Sequence, residues 1–251
     1  MKVENADDSF KNRRLFVMES ISVPKKRTEV LVNDFVRSVY NWMFIGLALT
    51  GFMAYFVSTN EAILHLIYSN RLVFFGLIIA ELALVFSIAG MMNRISASTA
   101  TALFVIYSVL NGVTLSFIFL AYTRASIVST FFICSATFLA CSIYGWTTKK
   151  DLTSLGGFLV MGLIGIIIAS LVNMFIRSSA MSVVVSYIGV IVFVGLTAYD
   201  TQKLKNMALT QPTNLDGAVV RKGAILGALS LYLDFINLFL MLLRIFGGNR
   251  N

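Results

Sequence analysis

Between Asp34 and Gly247 the chain alternates long apolar runs with short polar breaks. The runs fall near 35–58, 72–92, 98–122, 126–146, 155–176, 181–203 and 223–246. Each is about as long as a helix must be to cross the hydrocarbon of a bilayer, roughly 20 residues. None has the period-two alternation of a barrel strand, and open strands would leave backbone groups unsatisfied in lipid. The pattern predicts an all-α integral membrane protein with a seven-transmembrane-helix domain over 35–251. Residues 1–34 are polar and mixed in charge, without the short apolar core of a signal peptide. They are expected to form a partly flexible cytoplasmic arm.

Composition agrees. Of 251 residues, 58% are hydrophobic and 13% charged, with a mean hydropathy of +0.84. A soluble domain carries about twice that share of charge. The net charge of +8 does not point to nucleic acid, because the basic residues flank apolar runs instead of forming one face. Eight Lys and Arg lie up to Arg37, and the breaks after runs two, four and six add one, two and four, fifteen in all. The other three breaks hold only Arg71, Arg124 and Arg177. That asymmetry predicts a cytoplasmic N-terminus. Seven crossings would then put the C-terminus outside, whereas a re-entrant seventh run would return it.

Cys134 and Cys141 are seven residues apart in one run, two helical turns and too far to bridge, so buried structural thiols are expected. A single histidine, His65, excludes a His-rich metal site. Gly223 with Gly227, Gly165 with Ala169 and Gly112 with Ser116 have the small-xxx-small spacing that lets helix backbones approach.

Of twelve acidic residues, three lie inside the apolar runs: Glu81, Asp200 and Asp234. A charge at membrane depth costs a few kcal/mol or more, so such groups face a bundle interior or a watery path. Asp200 closes run six, ahead of Lys203, which offers it an interfacial partner. Asp234 lies about 16 Å along run seven from Gly223, with Asn237 one turn on. A partner from another helix is needed, and Asp200 on the preceding antiparallel helix is the natural one. Two carboxyls at close approach cannot both ionise readily, so the pair would sense protons and attract cations. Glu81 is either a second station on an ion path or an internally bonded acid. Arg94, about 220° around a straight helix from Glu81, is better placed to reach Asp200 or to anchor the membrane end.

GLTAYDTQKLK at 195–205 and LYLDFINLFLMLLRIFG at 231–247 resemble the signature segments of the Bax inhibitor-1 (transmembrane Bax inhibitor motif) family. YNWM at 40–43, ASLVN at 169–173 and YGWTTKKDL at 144–152 extend the likeness, which is strongest to bacterial members. The resemblance implies a seven-helix bundle with the C-terminal helix central, and a bacterial inner (plasma) membrane location. It implies a pH-sensitive calcium-leak channel gated by an aspartate pair on the last two helices. Asp200 and Asp234 match that pair, Arg94 matches its arginine latch by position only, and Glu81 remains a possible pore station. Calcium is then the transported ion, with no cofactor.

Two rival classes remain. Intramembrane aspartyl proteases also set Tyr-Asp on one helix against an Asp on the next, and AYD at 198–200 fits. They require Gly-x-Gly-Asp at the second carboxylate, where this chain has bulky Leu-Tyr-Leu-Asp, so no enzyme is expected. The alternative is a non-transporting membrane regulator that binds a membrane-anchored protease or stress-response partner through the arm 1–34.

Overall fold

A computed structural model describes residues 25–92, 94–210 and 216–248. Its described residues fold into α1 (Lys25–Ser58), α2 (Glu61–Ser69), α3 (Arg71–Met91), α4 (Ala97–Leu115), α5 (Ile118–Ala121), α6 (Arg124–Thr147), α7 (Thr153–Ile176), α8 (Ser179–Thr210) and α9 (Gly217–Phe246). Seven of these, all but α2 and α5, are long and apolar enough to cross a membrane.

The polar breaks start the helices. The side chains of Asn70, Ser96 and Thr123 accept N–H bonds from the first turns of α3, α4 and α6, at 3.0, 3.1 and 3.2 Å for the shortest in each. Asp216 does the same for α9 through Ala218 N at 3.0 Å. In the loop before α7, Asp151 Oδ1 accepts the Thr153 amide and hydroxyl, and these bonds hold its carboxyl below the usual carboxylate range. Each cap satisfies donors that a helix start leaves orphaned.

Three boundaries differ from the hydropathy reading. The first helix begins at Lys25, so the last ten residues of the expected arm are helical; residues 1–24 lie outside the described residues. The expected run 98–122 divides into α4 and the single turn α5. Tyr68 of α2 causes the break: its hydroxyl donates to Thr114 O at 3.0 Å and accepts Phe117 N at 3.1 Å, taking up the groups that would continue the helix. α2 itself had been expected as loop, and at nine residues it is too short to span.

α9 is the axis of the bundle. It packs against α8, α1, α6 and α4, and its side chains from Ala224 to Leu243 supply the largest share of the buried core. At 30 residues it runs unbroken for about 45 Å, longer than the hydrocarbon is thick, so the seventh run is long enough to span fully. Small residues set the closest crossings, though not all those expected. A Cβ on Gly112 would stand 2.6 Å from Thr50 O, and one on Gly227 would strike the Leu204 side chain. Gly165, by contrast, faces open space. Two glycines outside the expected motifs do more: Gly145 of α6 abuts the Ala198 backbone, and Gly156 of α7 abuts the Tyr199 ring. Together they pin α8 just before Asp200.

Candidate functional site

Asp234 sits about midway along α9, and only 5% of its surface is exposed. Asn237, one turn on, donates instead to Leu233 O at 2.8 Å, and Ser230, one turn back, lines the crevice described next. Asp234 Oδ2 is buried without a hydrogen-bond partner among the described residues, and Asp200 lies close enough to act on it electrostatically. Asp200 stands on α8, the helix expected from the sequence to face it. Asp200 is half-buried and also lines a crevice of about 40 Å³ between α8 and α9, walled by Lys203, Leu204, Met207, Leu226, Gly227 and Ser230. That volume accommodates a water or a small ion. Gly227 belongs to the expected GxxxG pair, and its missing side chain is what admits Leu204 beside the crevice.

The loop face next to the crevice is tied down by long polar side chains. Gln202 of α8 donates to Lys150 O and accepts Leu152 N, each at 2.8 Å, so the α6–α7 loop is fastened to the helix that carries Asp200. Lys205 donates to Trp146 O at 2.6 Å and lies over that ring. Lys222, near the start of α9, donates to Ile95 O at 3.0 Å and holds the α3–α4 loop against the central helix. Lys203 lies 6.0 Å over the Tyr199 ring, close enough to act on Asp200.

Arg94 is in that same loop, exposed, and makes no ion pair with either aspartate among the described residues. The structure brings Asp200 and Asp234 together and leaves Arg94 outside the pair. The cation nearest Asp200 by chain position is Lys203.

Glu81 belongs to a separate network. In α3 it accepts from Thr114 Oγ1 and, at 3.4 Å, from Asn111 Nδ2, both on α4. Asn111 Oδ1 accepts from the Tyr232 hydroxyl at 3.0 Å, and that hydroxyl lies 2.6 Å from Thr50 Oγ1 of α1. Thr50 also donates within the pair of backbone carbonyls Gly46 O and Ser108 O. One hydrogen-bond network thus joins α1, α3, α4 and α9, with the Tyr232 ring packed edge-on to Phe104 and Tyr107. Tyr232 and Asp234 are about 200° apart around α9, so Glu81 and the aspartates address opposite faces of the axis. Sequence reading missed this network. Its only sign was that Thr50, Asn111 and Tyr232 each interrupt an apolar run.

Among the described residues no group of three or more His, Cys, Asp or Glu could cage a metal. Cys134 and Cys141 are free thiols, the first donating weakly to Phe235 O at 3.7 Å.

Seven membrane-length helices with the C-terminal one central, and a carboxylate pair at its buried face, define a polytopic membrane protein with an ionisable site inside the bundle. The chain belongs to the family described as inhibitor of apoptosis-promoting Bax1, which it matches over residues 32–251. It is 55% identical over 219 residues to inner membrane protein YbhL of Escherichia coli K12, covering 87% of this chain and 93% of that one. An uncharacterised protein of Borreliella burgdorferi is 48% identical over 232 residues, 92% and 99% of the two chains. An uncharacterised membrane protein of Streptococcus pyogenes serotype M6 is 40% identical over 225 residues, 89% and 96%.

Proposed function

We propose that this protein is a pH-sensitive calcium-leak channel of a bacterial inner membrane, gated by Asp200 and Asp234. One observation carries the reading: a membrane carboxylate on the central helix has an oxygen without a hydrogen-bond partner among the described residues, and a second carboxylate, beside a small crevice, lies close enough to act on it. A structural acid would be satisfied by donors, as Glu81 is. Calcium storage sites use six to eight oxygens, so two carboxylates hold the ion loosely, which suits passage. Asp234 is flanked by Leu233 and the buried Phe235 in place of the small residues an aspartyl protease uses there, which favours a path over a protease. The inner-membrane location follows the name of the Escherichia coli relative. The regulator alternative rests on an arm whose first 24 residues lie outside the described ones.

Gating follows from the charge on the pair. Doubly ionised, the aspartates repel each other and attract cations, including an arginine swung in from the Arg94 loop. The first proton relieves the repulsion and loosens any bound cation, which opens the path. The second removes the negative charge that draws calcium in. Calcium flux into vesicles reconstituted with the purified protein should therefore rise as pH falls from alkaline to mildly acidic, then decline. The two limbs report two macroscopic steps of the pair. Asp200→Asn should abolish the rise on acidification. A flux that is flat with pH, or a bell retained in that variant, refutes the gate.

A further inference from the structure

Away from the aspartates, a groove of about 350 Å³ is cut into the wall of the bundle between α1 and α6. Its floor is the central helix itself, at the buried side chains of Phe235, Ile236 and Phe239. Its rim is the exposed Gly51 of α1 with Val128 and Phe132 of α6, and α5 closes one end by touching both flanking helices. The sole polar side chain in the lining is Thr50, whose hydroxyl is already engaged with Tyr232 and two carbonyls. Water has nothing to bond to here, and the groove lies within membrane-spanning helices, so its open side meets acyl chains.

The closed end carries a cation. Arg124, the first residue of α6, holds its guanidinium 5.9 Å over the Tyr55 ring, and Tyr55 stands edge-on to Phe119 of the groove lining. Arg124 is exposed and makes no ion pair among the described residues. At this end of the bundle those residues carry Arg71, Arg124, Arg177 and Arg244 against a single acid, Glu61. An arginine fixed by an aromatic ring at membrane-surface depth suits a phosphate.

We infer that this groove is a binding site for one anionic phospholipid from the leaflet at the Arg124 end, its acyl chain against Phe235 and Phe239 and its headgroup phosphate on Arg124. The bound chain completes the wall around α9. The inference is independent of the channel reading, since it concerns occupancy alone.

The test uses the full chain in phosphatidylcholine nanodiscs with a few mole per cent of phosphatidylglycerol bearing an acyl diazirine. After photolysis, adducts should concentrate on Val128, Phe132 and Phe235 in preference to Phe175 and Ile191, which are lipid-facing residues of α7 and α8 at least as exposed. Unlabelled phosphatidylglycerol should compete better than added phosphatidylcholine by about fivefold, the worth of one arginine near an anionic headgroup. Gly51→Phe projects into open space, so it should fold, fill the groove and remove those adducts. Arg124→Gln should keep groove adducts but erase the advantage of the anionic competitor. Labelling that follows exposure alone, equal competition in the wild type, or groove adducts surviving in a folded Gly51→Phe would overturn the site. If Gly51→Phe does not fold, the wild-type competition and Arg124→Gln decide.

Discussion

A carboxylate costs most where it has least company, and Asp234 is the extreme case here. Asp234→Asn keeps size and polarity while removing charge, so it should change calcium flux in reconstituted vesicles. The control is Asp216→Asn, where the exposed side chain caps α9 and an amide oxygen caps as well; its flux should match the wild type. Equal effects would remove any special standing of the buried acid. Tyr232→Phe keeps the ring contacts with Phe104 and Tyr107 but strips the hydroxyl that joins Asn111 and Thr50. It should lower stability by about 1–2 kcal/mol, read as an earlier thermal midpoint in detergent. The aspartates could be found from sequence because an acid in an apolar run has no cheap explanation. The tyrosine network could not, because lone hydroxyls and amides in such runs are common and usually bond to their own helix. Nor could sequence show that Asn237 would turn to Leu233 O rather than to Asp234.

The number and order of the membrane-length helices were plain from hydropathy, because each such run is bounded by a polar break. Ends were less plain, since they depend on contacts between elements. α8 runs to Thr210, beyond the expected 203, because Leu204 and Ala208 remain buried on the bundle. α4 stops early because Tyr68 arrives from another element to claim its last carbonyls. Glycine spacing misled in the same way: the motif sees one helix, whereas close approach needs two. Gly145 has no partner at motif spacing yet touches the Ala198 backbone, while Gly165 has one and touches nothing within 4 Å. Gly145→Leu should therefore force α6 from α8 and cost about 1–3 kcal/mol. Gly165→Leu should leave the thermal midpoint unchanged. A reversed order of the two midpoints would contradict this account of the α6–α8 crossing.

For the whole molecule, the charge asymmetry, read with an α9 long enough to span, predicts that α1 starts and α9 ends on opposite sides of the membrane. A membrane-impermeant maleimide applied to spheroplasts should label Gly248→Cys directly and Lys149→Cys only after lysis. The native thiols should stay silent, as Cys134 is buried and Cys141 half-buried within α6. Labelling of both sites before lysis would contradict the topology. That the last helix would be central followed from family likeness, not from hydropathy. Its apolar run reads like the other six, and its burial arises only when the others gather around it.

The two bonds of Gln202 act as a stop against rotation. Adjacent positions on a helix point about 100° apart, so turning α8 by even a fraction of that would tear Gln202 from Lys150 O and Leu152 N. Leu152 is buried, and its amide would be stranded without a partner. Sliding along the axis, with the loop carried as a passenger, breaks neither bond. Asp200 is two residues away on the same rigid element. Under the proposed gate, a parting from Asp234 would be confined to a stroke, and the α6–α7 loop would make that stroke with it, visible at the membrane face to anything docked there.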